Sequence, residues 1–306
     1  MALYEIHTHA ELRRYKTHVC SKATLIQIFC LLLTIIPPFF VAYRSEGFYK
    51  KIEFYQEQPV IHFKHQVIIF IQLKNDYVTW STLKNFNQLH MGHVRLPVVK
   101  SREEDMNRDG ILDHLKFQLD MPMADSEEVL GVTLILIFDY KLRKFVSLDM
   151  DCMAYVQHST IIPGAALQFV GDLKFHQSEP LIHKGADRRF KEEIISSSSV
   201  HASDFDLHDI FEKYSRRNMS TSLAQTYTTW ITGRGAKKPF TIKATINYPQ
   251  ETLLYAPGFW QVIKFAWIQY FSVLAVFMYL VGKMRTFIFQ NQLVTTIVQR
   301  PWTKIP

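Results

Sequence analysis

Two uncharged apolar runs near opposite ends of the chain constrain its fold more than any other feature. The first covers residues 23–43 and the second covers residues 265–282, and each is bounded by basic residues. A helix rises about 1.5 Å per residue, so runs of roughly 20 residues are long enough to cross the roughly 30 Å hydrocarbon core of a bilayer. Two spans place everything between them on one side of the membrane and both tails on the other.

Charge indicates which side is which. Of the 35 basic and 28 acidic residues, the tail before the first run holds 4 and 2, and the tail from Lys283 onward holds 4 and none. Residues 44–264 therefore hold 27 basic and 26 acidic residues. Lys and Arg next to spanning segments stay in the cytosol, so we expect cytoplasmic termini and an exofacial central segment. Because this segment has almost no net charge, we do not expect nucleic acid as a partner.

The predicted organisation has five parts in chain order. They are a cytoplasmic tail (1–22), a transmembrane helix (23–43), an exofacial domain (44–264), a second transmembrane helix (265–282) and a cytoplasmic tail (283–306). A cleaved signal peptide is the alternative for the first run, but Phe40-Val41-Ala42 is a poor small-x-small cleavage site. Pro37-Pro38 is expected to bend or end the first helix.

Both spans have the composition of anchors. Neither run contains Asp, Glu, Lys, Arg or His, which argues against an ion or proton pathway built by this chain alone. Four uncharged polar residues lie at membrane depth, where such residues more often bond a neighbouring helix than line a pore. They are Gln27, Thr34, Gln269 and Ser272.

The exofacial segment has the composition and periodicity of β-strands. Eight stretches rich in Val, Ile, Phe, Tyr and Thr alternate with clusters of Gly, Pro, Asn and Asp. They are residues 60–73, 77–82, 115–119, 129–142, 145–156, 167–175, 228–232 and 240–248. Few intervals between them have helical periodicity, so a parallel βαβ arrangement is not expected. We also predict a surface loop at residues 184–202 and a short amphipathic helix at residues 206–217.

The fold class predicted is therefore a two-pass α-helical membrane protein with a large, mostly antiparallel β-sandwich-like exofacial domain. Cys152 is the only cysteine in that domain, so no disulfide can form within it. A segment of about 220 residues is long enough to fold on a hydrophobic core alone. We expect Cys152 to be a buried small side chain in that core.

One motif has the spacing of a calcium-binding loop. Residues 105–113 (DMNRDGILD) carry side-chain oxygens at positions 1, 3, 5 and 9, from Asp105, Asn107, Asp109 and Asp113. Calcium takes six to eight oxygen ligands, and the main-chain carbonyl of Ile111 would be a fifth. Lys116 occupies the position where an EF-hand needs Glu, so the loop is not an EF-hand. The alternative is an acidic turn that binds nothing, and the sequence leaves both open.

Other candidate sites are few. Asn218-Met219-Ser220 is a glycosylation sequon in the predicted exofacial segment, which makes Asn218 a candidate glycan site. The 13 histidines show no recognisable zinc-binding spacing with Cys or carboxylates. The sequence contains no nucleophile elbow, phosphate-binding loop or dinucleotide fingerprint. We therefore expect no catalytic residues, no enzyme activity and no cofactor other than calcium.

Short strings along the whole chain resemble the transmembrane protein 231 family. They are residues 1–5, 36–38, 42–45, 57–59, 101–110, 257–260, 264–267 and 289–292. The resemblance runs to about Thr296, and none of the strings is a catalytic signature. It implies a subunit of the tectonic-like (Meckel syndrome) complex at the ciliary transition zone. That complex is a membrane-embedded part of the gate that restricts diffusion between the plasma and ciliary membranes, and ciliogenesis and Hedgehog signalling depend on it.

The partners implied by the resemblance are tectonics, B9-domain proteins and other small transition-zone membrane proteins, together with membrane lipid. A chargeless pair of spans and a β domain without catalytic motifs suit such a scaffold. An auxiliary subunit of a channel or transporter is the first alternative, because it shares the two-span plan. A membrane-anchored hydrolase is the second, and it would need convergent carboxylates in a concave pocket.

Overall fold

The computed structural model of the chain describes residues 13–45, 48, 50–183, 185–199 and 201–299. The MALYE string at residues 1–5 lies outside the described residues. The chain forms two compact units, one made of Met1–Lys51 and Pro257–Pro306 and the other of Ile52–Ala256. The helices are α1 (Lys22–Ser45), α2 (Lys84–Leu89), α3 (Leu207–Ser215) and α4 (Phe259–Gln290), with a 3₁₀ helix at Ala202–Phe205.

Most of the remaining chain is extended. The strands are β1 (Arg14–Lys16), β2 (Glu53–Glu57), β3 (Val60–Leu73), β4 (Tyr77–Ser81), β5 (Val98–Glu104), β6 (His114–Met121), β7 (Val129–Leu142), β8 (Ser147–Gln177), β9 (Leu181–Ile182), β10 (Ala186–Asp187), β11 (Met219–Thr232), β12 (Phe240–Asn247), β13 (Glu251–Ala256) and β14 (Ile297–Gln299). The predicted fold class is confirmed: two apolar helices flank a large, mostly antiparallel β domain in the chain order.

The first unit contains α1 and α4, which pack against each other. Both helices are long and apolar enough to cross a membrane. In the most apolar 18-residue stretch of each helix, only 17% of α1 and 6% of α4 is buried in the protein. Core helices of a soluble protein would be mostly buried, so these exposed apolar faces suit a lipid environment.

Both helices are longer than the predicted spans. The first continues through Pro37 and Pro38 to Ser45, so the prolines do not end it, and a bend at this point stays a prediction. Two prolines remove only two N–H donors from the helical ladder, whereas ending the helix inside a bilayer would leave several more backbone groups without partners. Helix α4 begins six residues before the predicted span, at Phe259, directly after the Gly258 N-cap.

The two tails of this unit meet. Strand β1 precedes α1, strand β14 follows α4, and the two pair antiparallel. Tyr15 of β1 also approaches the ring of Phe289 at the end of α4, with centroids 5.8 Å apart. Such a pairing requires the described ends of both tails to lie at the same end of the helix pair, as expected for an even number of spans.

The second unit is built around a nine-stranded sheet. Seven strands follow the order β4-β3-β7-β8-β12-β6-β5, and β10 and β11 also pair with β8. Among the described strands of this sheet, every pairing is antiparallel except those of β8 with β10 and with β12. A separate three-stranded sheet has the order β2-β13-β9. The predicted strands at residues 60–73 and 129–142 coincide with β3 and β7.

Strand β8 forms the centre of the sheet. It was predicted as two strands, 145–156 and 167–175, but it runs unbroken for 31 residues. Its first half pairs with β7, and its second half lies between β11 and β12. The polar and Pro-containing middle of the sequence indicated a turn. The chain instead stays extended there, with a register irregularity in the pairing to β7 between Val129 and Gly131.

The main core lies between two parts of this sheet, one formed by β3, β7 and β8 and the other by β6 and β12. Side chains of β3, β7 and β8 pack against those of β6 and β12 in one large cluster. The aromatic ring of Phe63 lies 6.1 Å from that of Phe117, and the ring of Tyr140 stacks on Phe175 at 5.3 Å. Burying this apolar surface, at about 25 cal/mol per Å², is the main contribution to stability in a domain without disulfides.

A second core covers the other face of β3, β7 and the first half of β8. Ile135 and Ile137 of β7 point into it, whereas their neighbours in the strand point into the first core. Residues from α2, the 3₁₀ helix and α3 complete it, among them Phe86, Phe205 and Ile210. Burial on both faces explains why these strands are continuously apolar rather than alternating.

The segment at residues 184–202 is only partly the surface loop that was predicted. Ser196–Ser199 are exposed or half-buried, but Ile195 is buried in the second core and Asp187 belongs to β10. Apolar residues within the polar stretch anchor it to the sheet. The predicted helix at 206–217 is confirmed as α3, capped by the Asp206 side chain, which accepts a hydrogen bond from the N–H of His208.

Candidate functional site

The predicted calcium-binding residues lie in the hairpin loop between β5 and β6, at one edge of the nine-stranded sheet. The hairpin is closed by the Glu104–His114 pair and by the N–H of Asp113, which donates to the carbonyl of Glu104 at 3.0 Å. Gly110 has φ +87°, as the sharp turn requires, and Arg108 also adopts a left-handed conformation with φ +60°. The loop therefore brings all five predicted ligands into one turn.

The side-chain oxygens of this loop accept hydrogen bonds from its own backbone. Asp105 accepts from the N–H groups of Arg108 and Gly110 at 2.7 and 2.9 Å. Asp109 accepts from the N–H of Ile111 at 2.8 Å and from the amide of Asn107 at 2.9 Å. Carboxylates that satisfy nearby N–H groups shape a loop without any ion.

Asp113 connects the loop to the rest of the domain. One carboxylate oxygen accepts from the amide of Gln58 at 3.0 Å, and the other accepts from the N–H of Met106 at 2.7 Å. The hydrogen bond from Gln58, followed by the one from Met106, holds the pKa of the Asp113 carboxyl below its usual range. The carbonyl of Asp113 also accepts from the N–H of Tyr248, just after β12.

An ion in this loop would have to draw carboxylate oxygens away from these N–H groups. Among the described residues, no group of three or more His, Cys, Asp or Glu side chains is arranged to hold a metal ion. The donor set of three carboxylates, one amide and one carbonyl is nevertheless the kind that calcium prefers. Calcium binding at Asp105, Asn107, Asp109, Ile111 and Asp113 stays a prediction, and its test is given below.

Asn218 lies between α3 and β11. Asn218 is half-buried, and its main-chain carbonyl accepts a hydrogen bond from the N–H of Ser178 at 2.9 Å. Ser220, the third residue of the sequon, is the second residue of β11. Glycosylation of Asn218 is not tested by this geometry and also stays a prediction.

A buried acidic pair was missed by the sequence analysis. Asp149 and Asp151 are alternate residues of β8 and are only 3% and 2% exposed. Asp149 contacts the guanidinium groups of Arg143 and Arg188, and Asp151 accepts from the Nζ of Lys64 at 2.6 Å. The signal in the sequence was an Asp-x-Asp alternation inside an apolar run.

The environment of Asp151 is that of a structural ion pair. Burial raises the pKa of the Asp151 carboxyl, and the ammonium of Lys64 only partly offsets this effect. The N–H of Asp151 donates to the carbonyl of Phe190 at 2.9 Å. Together with the contact of Arg188 to Asp149, this bond fixes the segment around residues 187–195 to the sheet.

A local basic groove was also missed, because the sequence analysis considered only the net charge of the domain. A shallow groove of about 340 Å³ on one sheet face is lined by Lys100, Arg102, Lys116 and Lys243. Arg102 and Lys116 both contact Glu104. Basic residues two apart in β5 and in neighbouring strands place like charges on one face, and only the strand register reveals that they meet.

Cys152 is fully buried in the main core, as expected. Burial raises the pKa of its thiol to about 12. A thiol with this pKa is protonated at neutral pH and is a poor nucleophile.

Two of the four polar residues of the spans bond within their own helices. Thr34 donates to the carbonyl of Cys30 at 2.8 Å, and Ser272 donates to the carbonyl of Gln269 at 2.8 Å. Both hydroxyls donate within the helix because the carbonyl one turn back is within reach, and bonding to a neighbouring helix stays a prediction. Gln27 and Thr34 line a groove of about 350 Å³ together with Gly282 and Arg285 of α4.

Comparison with known proteins gives a consistent result along the chain. A family model described as transmembrane protein 231 matches residues 1–298. The chain belongs to the transmembrane protein 231 family. It is 44% identical to the transmembrane protein 231 of Bos taurus over 309 residues, covering 100% of this chain and 97% of the relative. It is also 44% identical to the Homo sapiens protein over 300 residues, covering 97% of this chain and 95% of the relative. No solved structure matches the chain.

The features that resemble the transmembrane protein 231 family are spread over both units. The string at residues 36–38 lies within α1, and the string at 257–260 leads into α4. The string at 101–110 covers the end of β5 and the first part of the predicted calcium loop. The resemblance inferred from these strings is confirmed by the family match, which includes both apolar helices and the complete β domain.

Proposed function

We propose that the chain is a non-catalytic membrane scaffold subunit of the ciliary transition-zone gate, within the tectonic-like complex. The observation that carries this proposal is the match to the transmembrane protein 231 family over residues 1–298. A match of this extent includes the membrane helices and the β domain rather than a single site.

The two units suit this role in different ways. The apolar outer faces of α1 and α4 would hold the protein in the lipid. The β domain of residues Ile52–Ala256 offers a rigid surface for tectonics, B9-domain proteins and other transition-zone membrane proteins. A lateral array of such subunits would slow the exchange of membrane proteins between the plasma and ciliary membranes. Ciliogenesis and Hedgehog signalling would then depend on the array.

The test uses ciliated cells that lack their own transmembrane protein 231. The tagged full chain should concentrate at the transition zone, co-purify with tectonics and restore the exclusion of a plasma-membrane reporter from the cilium. The matched control keeps both helices and both tails but replaces residues 52–256 with an unrelated soluble domain. This control should enter membranes and fail in all three readouts.

Two results would count against the scaffold. Co-purification chiefly with a conducting channel or transporter subunit would favour the auxiliary-subunit alternative. The hydrolase alternative would gain support if the conservative replacement of one exposed Asp or His outside residues 105–113 abolished function. That variant would have to keep its stability and its position in the cell.

A further inference from the structure

The outer edge of β11 is less protected than the edges of the nine-stranded sheet at β4 and β5. Among the described residues, β11 pairs only with β8, so its other side has no strand partner. From Gln225 to Thr232 every residue is exposed except Trp230, which is half-buried. We call residues 226–232 (TYTTWIT) the β11 edge. The N–H and C=O groups on the outer side of such an edge are free to pair with another strand.

The edges of this sheet at β4 and β5 are protected. The β4 edge is covered by its own chain, because the N–H of Thr79 donates to the carbonyl of His93 at 3.0 Å and its carbonyl accepts from the N–H of Arg95 at 3.2 Å. The β5 edge carries four charged residues among seven, beginning with Lys100. Charges of this kind keep strands of other molecules from pairing.

Neither form of protection is present at β11. Its 14 residues, Met219–Thr232, include no charged residue and no proline. The stretch is rich in Thr, with Tyr, Trp and Ile, the residues that favour extended pairing. The register irregularity between Ala224 and Tyr227 takes in Gln225 and Thr226, and a second follows between Ile231 and Thr232, so the β11 edge pairs regularly with β8 from Tyr227 to Ile231. An edge with this composition is a template for another strand.

We propose that the β11 edge pairs antiparallel with the β11 edge of a second copy of the chain, around a two-fold axis at Thr229. Directly opposite residues must lie on the same face of the joined sheet. An axis at Thr229 satisfies this condition and pairs the five regular residues of the edge, Tyr227 to Ile231, with those of the second copy. The interface is isologous, since each copy contributes the same surface.

The side chains of the β11 edge are complementary to themselves in this register. Tyr227 of one copy lies opposite Ile231 of the other, and Thr228 lies opposite Trp230. Thr229 faces its own counterpart. Aromatic residues opposite β-branched residues and Thr opposite Thr are favourable cross-strand pairs, and no like charges meet. Because the edge carries no charge, two copies of it meet without repulsion, and their side chains form favourable pairs. Both properties favour a second copy as the occupant.

The surroundings leave the β11 edge accessible. Tyr227 is 74% exposed and Ile231 is 39% exposed, so both can bury apolar surface against a partner. Asn218, the candidate glycan site, precedes Thr229 by 11 residues, or roughly 36 Å along an extended strand. A glycan there would not cover the β11 edge.

Cysteine crosslinking tests the register in the full-length chain in its membrane. In a Cys20→Ser background, which removes the exposed native thiol, Thr229→Cys should form a disulfide-linked dimer under mild oxidation. The matched control is Lys100→Cys. Strand register places Lys100 on the same cross-strand row and the same face as Thr229, but at the charged β5 edge. The control should remain uncrosslinked.

Charge variants at the axis give a second, independent readout. Thr229→Lys or Thr229→Asp alone should cause loss of the dimer, because each places like charges opposite each other. Co-expression of the two variants should restore it as a mixed dimer, since opposite charges then meet. Unchanged melting temperatures would show that the exposed position does not affect folding.

Equal crosslinking of Thr229→Cys and Lys100→Cys, or failure of the charge variants to change the dimer fraction, would overturn the inference. A monomeric chain whose β11 edge is occupied by a strand of another protein would overturn it as well. The inference is independent of the proposed function, because a monomer that still restores the ciliary gate would contradict only the self-pairing.

Discussion

Tyr15 lies directly opposite Val298 in the antiparallel pair of β1 and β14, so the segments that flank the two membrane helices are neighbours. The charge distribution predicts that both tails are cytoplasmic, and this pairing places the described ends of the tails at the same end of the helix pair. A chain with one retained and one cleaved span could not form it. Retention of the first apolar run stays a prediction, and this pairing is one of its consequences.

Epitope tags test the orientation of the chain. Tags at Ala2 and at Pro306, which lie outside the described residues, should bind antibody only after the membrane is permeabilised. A tag within Ser196–Ser199 should bind on intact cells that carry the protein at their surface, because this segment belongs to the β domain. Antibody binding to either terminus of intact cells would contradict the two-span topology.

Thiol labelling tests the burial of Cys152. In a full-length variant with Cys20→Ser and Cys30→Ser, a maleimide should not react with Cys152 between about pH 7 and pH 9 until the protein is unfolded. Burial raises the pKa of this thiol to about 12, so the thiolate would become abundant only at far higher pH. The wild-type chain provides the control, since its exposed Cys20 should label at once. Rapid labelling of folded Cys152 at neutral pH would show an accessible thiol.

Much of the β domain could be predicted from local patterns. Strands β3 and β7 match their predictions residue for residue, because long runs of Val, Ile, Leu and Phe bounded by turn residues have few alternatives. Strand β5 was missed because VVKSREE lacks the apolar character of a strand. At a sheet edge the backbone pairs on one side only, and charged side chains are favoured there.

In the candidate site, too, local features could be predicted from the sequence, whereas long-range contacts could not. The nine-residue spacing from Asp105 to Asp113 correctly placed the candidate ligands in one turn, since spacing within a loop is a local property. The contact of Asp113 with Gln58 joins residues 55 positions apart and has no signature in the sequence. The basic groove is a similar case, because it depends on the register of β5, β6 and β12.

Gly164 tests the packing at the middle of β8. A Cβ added at this position would lie 2.2 Å from the Cζ2 of Trp230, so Gly164→Ala must displace the indole. Overpacking of this kind costs about 1–3 kcal/mol, which corresponds to a decrease of roughly 2–12 °C in Tm for a domain of this size. Trp230 also donates from its indole N–H to the carbonyl of Ile162 at 3.0 Å, and that bond should weaken.

The matched control for this substitution is Gly92→Ala, where a Cβ would meet no atom within 4 Å. Its melting temperature should stay close to that of the wild type. Intrinsic tryptophan fluorescence gives a second measurement, and only Gly164→Ala should change it. Equal effects of the two substitutions would mean that Gly164 is not constrained by Trp230.

Calcium should stabilise the β domain if the loop of residues 105–113 binds it. Binding to the folded state alone at about 100 times the dissociation constant contributes roughly 2.7 kcal/mol, or roughly 5–10 °C in Tm. The full-length chain in detergent should therefore melt at a higher temperature in millimolar calcium than in chelator. An ion bound by Asp105, Asn107, Asp109 and Asp113 would also hold the ends of β5 and β6 together.

Asp109→Ala should remove this calcium effect while changing the melting temperature in chelator only slightly. Among the described residues, the side chain of Asp109 bonds only within the exposed loop, to the N–H of Ile111 and the amide of Asn107. Asp113→Ala should instead lower the melting temperature in both buffers, since Asp113 also accepts from Gln58. Glu128→Gln removes a charge outside the loop and should retain the full calcium effect. Identical melting of the wild type in both buffers, with no heat on calorimetric titration, would mean that the loop is an acidic turn held by its own N–H groups.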